Sequence, residues 1–255
     1  MTLKNLLLPN RETRNIELLM NVCFWLGIEV TRLDAGEEDR LPPRATLSNT
    51  TVHGGPTFCR RVAAALGGYV VEPAPDFLPT LPQKYLSRQV DLTTLGEARS
   101  LTEPKFIKPV ADKFFPAAVY ENGARLSAGS EMDEQCILVS DPVEWEREYR
   151  MFVLDNQVQT YSPYFLHEGV HSTEEQNAAA LAFSQSVLND NRVRLPRAVV
   201  LDVGWIRGAG LAVVEANEAV MSGIYDCDPI AVLEVLKYGL ARTDEANSSE
   251  EMTIS

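Results

Sequence analysis

Val199-Val200-Leu201-Asp202-Val203-Gly204-Trp205, Gly208-Ala209-Gly210 and Leu211-Ala212-Val213-Val214-Glu215-Ala216-Asn217 form two apolar runs joined by a glycine-rich turn, the pattern of a β-hairpin. If the turn centres on Gly208 and Ala209, Asp202 falls opposite Glu215, with side chains ~5 Å apart on one face; Asn217 joins that face because strand side chains repeat every second residue. Opposed carboxylates repel, and a fold that keeps them together normally sets a cation between them. Magnesium suits the set, since it takes oxygen ligands, one or two of them carboxylates, and leaves positions for water and phosphate. The alternative is an acidic pair on an exposed sheet. Apolar flanks at Val199, Leu201, Val213 and Val214 weigh against it, because such a pair would be costly to bury uncompensated.

Upstream, Glu148-Tyr149-Arg150-Met151-Phe152-Val153, Asp155-Asn156 and Gln157-Val158-Gln159-Thr160-Tyr161 read as a second hairpin with Glu148 and Arg150 on one face. Arg150 either pairs with an acid there or meets a transferring phosphoryl group, where a bidentate guanidinium stabilises developing charge. Phe106-Ile107-Lys108-Pro109 is an apolar strand carrying a lysine. Lys108, with Lys113 five residues on, either reaches into a cleft toward phosphate oxygens or runs its stem along the sheet.

Further strands are expected at Lys105–Val110, Cys136–Ser140, Ala198–Val203 and Leu211–Ala216, with helices at about Thr173–Asp190 and Pro229–Ala241. This is a largely antiparallel α+β region, assigned to residues 93–242, and the polar residues 243–255 read as a disordered tail. Residues 1–92 read differently. An apolar run at Leu6–Pro9, a helix capped at Asn10 and carrying Ile16, Leu19, Met20, Cys23 and Leu26, a stop at Gly27 and a strand at Ile28–Leu33 make a β-α-β opening. Ala45–His53 reads as extended, Gly54-Gly55 as a turn, Pro56 as a first helical residue, Thr57–Leu66 as helix and Tyr69–Glu72 as strand. The proline-rich Glu72–Pro82 disfavours helix and sheet and suggests a crossing connection.

Composition narrows the partners. With 23 Lys and Arg against 36 Asp and Glu, net charge −13, the surface repels phosphate backbones and anionic lipid, which disfavours nucleic-acid and membrane binding. Met1–Pro9 is too short in apolar residues for a signal or spanning segment, so a cytoplasmic protein is expected. The four cysteines form no CxxC or Cys/His cluster, which argues against zinc and disulfides; Cys23 and Cys59 read as small buried hydrophobes.

Taken in order, Lys108-Pro109, an apolar strand ending near Ser140-Asp141, Glu148-x-Arg150 and Asp202 … Glu215-x-Asn217 resemble the ATP-grasp superfamily. Leu81-Pro82 with Arg88, then Lys108-Pro109 and Lys113-Phe114, look like its branch marked by one arginine and two lysines. The resemblance implies a small parallel α/β pre-ATP-grasp domain followed by an ATP-grasp domain. It implies ATP gripped between sheets, with Arg88, Lys108 and Lys113 facing the phosphates and Ser140, Asp141 and Val143 lining the adenine pocket beside Glu148. Asp202, Glu215 and Asn217 would ligate Mg2+, with Mn2+ as the alternative, and Arg150 would lie near the γ-phosphate. The implied reaction is ATP-dependent carboxylate-amine ligation through an acyl-phosphate, on small-molecule or peptide substrates; it is compatible with an oligomer. A phosphotransferase on the same fold and a non-catalytic nucleotide-binding partner are the competing readings.

Substrate candidates lie beside these elements. His53 precedes Gly54-Gly55 at a helix start, where free N–H groups favour anions. Ser222, Gly223 and Tyr225 directly follow the metal hairpin. His167 and His171 lie four apart, but Gly169 between them argues for a loop rather than a helical metal pair.

Overall fold

The computed structural model describes residues 2–110, 114–127, 129–168 and 171–243. The chain opens with β1 (Asn5–Pro9), α1 (Arg14–Leu26), β2 (Glu29–Leu33), β3 (Thr50–Val52), α2 (Pro56–Ala65) and β4 (Gly68–Val70). It continues with α3 (Phe77–Thr80), β5 (Val90–Thr94), α4 (Leu95–Ala98), β6 (Lys105–Pro109), β7 (Ala118–Tyr120), β8 (Cys136–Ser140), β9 (Trp145–Leu154) and β10 (Gln157–Leu166). Next come α5 (Glu174–Leu188), β11 (Ala198–Ile206), β12 (Gly210–Asn217), α6 (Pro229–Leu236) and β13 (Leu240–Arg242). Residues 244–255 of the expected tail lie outside the described residues.

β1 lies between β2 and β3 and is parallel to both. That follows from its sequence: Leu6, Leu7 and Leu8 are all buried, as a central strand covered on both faces requires. The two four-stranded sheets, ordered β5-β8-β6-β7 and β10-β9-β11-β12, are antiparallel. The fold is thus the expected mixture of a parallel α/β opening and antiparallel sheets.

Several boundaries differ from the sequence-based expectation. Thr13, not Asn10, caps α1, accepting a hydrogen bond from the Ile16 N–H at 3.3 Å; the Asn10 amide is drawn to Asp34 instead, at 2.7 Å. Of Ala45–His53 only Thr50–Val52 is strand. α3 forms within the proline-rich connection despite Pro79, because a helix this short needs few backbone donors. α6 ends at Leu236 and the chain returns as β13 against β4; a Cβ at Gly239 would come within 2.5 Å of Val220, so the chain must be bare there. β5, β7 and β13 carry only three to five residues, too few for alternation to be read with force. The expected division at residue 92 falls within β5.

Three apolar cores organise the described residues. One joins β1, α1 and α2 to α6, Phe152, Ala198 and Val200. A second fills the far face of the large sheet with Tyr149, Met151, Val153, Val199, Leu201 and Val203 under α5. The third lies behind β6 and β8, around Ile107, Ile137 and Val139. Alternation then dictates the remaining faces: Phe106 and Lys108 turn away from the third core, and Glu148, Arg150 and Asp202 away from the second. Cys23 and Cys59 are buried as small hydrophobes, and burial pushes the Cys23 thiol up to about 11. No described helix is long and apolar enough to cross a membrane.

Candidate active site

The opening hairpin meets its expected register by an indirect route. Its connection is centred on Gly208 rather than between Gly208 and Ala209, which starts the register one residue out, since Ile206 pairs with Gly210 and Val203 with Val213. A bulge between Asp202 and Val203 then inserts Val214, and Asp202 meets Glu215 after all. Gly208 and Gly210, at φ of 75° and 92°, supply the left-handed backbone this tight connection demands. The second hairpin turns at Asp155 and Asn156, at φ of 50° and 59°, as a two-residue type I′ turn requires.

Across the large sheet the registers align Ser162, Arg150, Asp202 and Glu215 in one transverse row. Arg150 clasps Asp202 with both arms, Nε to Oδ1 at 3.0 Å and Nη2 to Oδ2 at 2.7 Å. Glu215 receives Lys108 Nζ from the neighbouring sheet at 2.6 Å. Asn217 bridges the acids, donating to Asp202 Oδ2 at 3.2 Å and to Glu215 Oε1 at 2.9 Å. The cations opposite the paired acids are therefore Lys108 and Arg150, and Arg150 pairs with Asp202 rather than with Glu148. Glu148 accepts instead from the Tyr164 hydroxyl. Asn217 converges with the acids as expected but turns its N–H toward them rather than its oxygen, because carboxylate oxygens attract donors.

Charge in this row is finely divided. Asp202 is fully buried, which pushes its carboxyl up to about 6 despite Arg150, with Glu215 and Glu148 adding repulsion. Burial would raise Glu215 too, but Lys108 outweighs it and holds Glu215 below the usual range. Burial raises Glu148, against the Tyr164 hydrogen bond and two arginines. For Arg150, burial is overcome by the Asp202 hydrogen bonds and charge, leaving the guanidinium raised.

A cleft of about 270 Å³ runs between the two antiparallel sheets. It collects Arg88, Lys108, Ser140, Asp141, Val143 and Glu215 from the sequence-derived set. Its apolar walls, Phe106, Leu138 and Trp145 among them, carry no signal in the sequence, since each resembles any buried strand residue. Arg88 lines this cleft, yet its guanidinium already donates to the carbonyls of Leu86, Val213 and Val214 at 3.0, 2.9 and 3.3 Å and lies over the Trp145 ring. It holds the β12 bulge in place, and burial brings it down to about 10. Asp141 is tied to Lys105 at 2.7 Å and to the Gln89 N–H at 3.0 Å, fixing the rim. Lys113 lies outside the described residues.

A second cleft of about 210 Å³ gathers His53, Ser222 and Gly223 with Arg11, Gly55 and Asn15. Arg150 borders it, donating from Nη1 to the Gly223 carbonyl at 3.3 Å. Tyr225 stacks on Tyr164 at 5.1 Å between ring centroids, and both rings face the Arg150 guanidinium. Tyr225 has φ 53°, a left-handed conformation that costs a bulky residue on the order of 1 kcal/mol. Each cleft takes residues from both sides of residue 92. His167 and His171 lie outside helices, and His167 faces Glu144 at 3.5 Å.

A lysine facing an apolar slot between two antiparallel sheets, with acids paired across the adjoining hairpin, is the layout expected of the ATP-grasp class. A family model described as an ATP-grasp domain, the second family of the clade named for one arginine and two lysines, matches residues 85–235, and the chain belongs to that family. Among solved structures it is similar to a RimK domain protein ATP-grasp from Sphaerobacter thermophilus, at 16% identity and TM-score 0.57 over 92% of this chain and 96% of that one. D-alanine–D-alanine ligase from Bacillus anthracis aligns at 11% identity and TM-score 0.54, over 93% and 97%. The macrocyclase MdnC from Microcystis aeruginosa, bound with the precursor peptide MdnA, aligns at 12% identity and TM-score 0.52, over 92% and 99%. No curated protein sequence matched the chain.

Proposed function

We propose that the protein is an ATP-dependent carboxylate-amine ligase acting on an amino acid or peptide. The observation that carries this reading is the charged row Arg150–Asp202–Glu215–Lys108 standing between two clefts: the apolar slot on one side and, past Arg150, the cleft around His53 and Gly223. A ligase needs that layout, because two substrates must reach one phosphoryl group from different directions. Relatives in fold support it: one is named a D-alanine–D-alanine ligase and another is a macrocyclase holding a peptide.

In this reading the adenine lies against Phe106, Leu138 and Trp145 near Ser140, Asp141 and Val143, and Lys108 faces the phosphates. Arg88 shapes the slot through the β12 bulge. The donor set suits Mg2+ or Mn2+. A carboxylate has about four lone-pair positions, so Asp202 clasped by Arg150 retains capacity, as does Glu215. Asn217 would join them after its amide rotates to present oxygen. A bound ion there would offset charge on the phosphate oxygens. Arg150, held rigid by Asp202 and the two tyrosine rings, presents fixed positive charge where the substrate carboxylate attacks the γ-phosphate. The acyl-phosphate so formed then reacts with the amine, losing phosphate to give the amide. Water exclusion between the sheets protects it from hydrolysis.

The test is ADP release across pools of amino acids and peptides with Mg-ATP, followed by mass spectrometry. The expected product has the mass of the two substrates less one water, and ADP appears only when carboxylate and amine are both supplied. A stable phosphorylated product formed with no amine requirement would replace the ligase with a phosphotransferase.

A further inference from the structure

The far end of α1 departs from the rest of the surface in two ways. In a chain with 23% charged residues and a net charge of −13, residues 18–28 include no Asp, Glu, Lys or Arg. Part of that run is core: Leu19 and Cys23 are buried with Ile16 on the inner face of the helix. The remainder is not. Phe24 is 77% exposed, Trp25 83% and Leu26 50%, and the two rings are the most exposed large apolar side chains among the described residues. They meet edge to face at 5.6 Å between centroids and so stand as one raised apolar unit. The helix itself does not need them, because it is ended by left-handed Gly27, whose N–H turns back to the Cys23 and Phe24 carbonyls.

Area and charge together select what covers this face. Aromatic side chains offer roughly 150–250 Å² each, so at these exposures the two rings and Leu26 leave roughly 400 Å² of apolar surface in water. A contiguous patch of that size on one chain marks a contact. It is about half of what one partner contributes to a standard interface. In a two-fold contact the same patch supplies both sides, and the half-buried Val22 and Leu18, one and two turns back from Trp25, extend it, bringing the total toward the ~1,000 Å² that a specific pair requires. Two copies at −13 each repel over most approaches, and here they meet across a face with no charge to oppose. A partner chosen by charge finds none on this face to pair with. Lipid is disfavoured as well: helices that lie on membranes carry Lys and Arg beside the apolar face, whereas α1 has no basic residue in its last turn.

We propose that the C-terminal half of α1 is a two-fold contact through which two copies of this chain pair, with Phe24, Trp25 and Leu26 of one packing on those of the other. The first turn of α1 lines the cleft around His53, and Trp25 lies about 18 Å further along the helix, so pairing leaves that cleft open. The assignment is independent of the ligase reading.

Sedimentation velocity of the full chain from about 1 to about 100 µM, the range that brackets a modest interface, tests it. The expected species at the upper end has twice the 28.3 kDa of one chain. Trp25→Glu should raise the dissociation constant on the order of 30-fold or more, as loss of an aromatic anchor does, with the circular dichroism of the dilute chain unchanged. Should the glutamate variant misfold, Trp25→Ser introduces no charge and reads the same loss. Tyr69→Glu, at an exposed ring on β4, should leave pairing intact. The proposal is overturned if the chain stays monomeric at the upper concentration, whether or not it then binds phosphatidylcholine vesicles, if folded Trp25 variants pair as tightly as wild type, or if Tyr69→Glu disrupts pairing equally.

Discussion

The two clefts flanking Arg150 obtain positive charge in opposite ways. In the slot between the antiparallel sheets it comes from Lys108, whose nitrogen lies 2.6 Å from Glu215; each cation of the adjoining row is matched to an acid, and the acids are crowded enough to shift one another. In the cleft around His53 it comes from backbone N–H groups and from Arg11, with no acid among the described lining residues. A balanced row can exchange partners when a phosphate or a metal arrives, because each cation has somewhere else to go. Fixed dipoles cannot be reassigned. The first arrangement suits chemistry in which charge moves, the second suits holding a group still.

The balanced row depends most on Asp202. Asp202→Asn should abolish ADP formation. It should also cost about 3 kcal/mol of stability, because Arg150 would remain buried without its partner; chemical denaturation measures the second effect separately. Glu215→Gln should match it in activity loss but unfold near the wild-type midpoint, its side chain being 31% exposed. Wild-type turnover in either variant would remove that acid from the catalytic site. Lys108→Met should lower kcat by about 100-fold, the usual loss when a fixed charge on a developing anion is removed, with KM for the amine unchanged.

A smaller effect separates the clefts by pH. Asp202 is raised to about 6, so it gains a proton, and loses its charge toward a metal, as pH falls through that value. Mg-ATP affinity by calorimetry should fall about tenfold per pH unit below 6, whereas a weakening that begins only near 4 would indicate an ordinary carboxylate. The smallest effect is at an exposed ion pair: Arg14 and Asp226 meet at 2.6 Å, but both side chains are 68% exposed. Asp226→Asn should leave the melting temperature unchanged within error.

Much of this site is legible in order and spacing. The Asp155-Asn156 and Gly208–Gly210 turns announce both hairpins, and strand alternation then groups Arg150, Asp202, Glu215 and Asn217 on one face. Even so, a simple turn centred on Gly208 and Ala209 is an incomplete reason for the pairing of Asp202 with Glu215, since the turn is offset by one and the Val214 bulge restores the register. Bulges depend on what packs beside a strand, here Arg88 on the carbonyls of Val213 and Val214, and local composition carries no trace of that. The acidic pair likewise suggests a metal as its only counterion, when Lys108 lies 107 residues away in sequence and only the fold brings it across. Arg11 gives no signal at all, because an exposed arginine after a strand is ordinary until two helix starts are known to face it.

The amino-acid sequence alone determined the longer strands and helices, the two hairpin turns, the acidic hairpin and the ATP-grasp order, because each depends on neighbours within a few residues or on linear succession. Tertiary structure alone decided which cation meets which acid, where the apolar slot lies, and that His53, Arg11 and Gly223 share a second cleft. Those are contacts between residues far apart in the chain, set by how sheets stack and helices end, and periodicity along one segment cannot encode them.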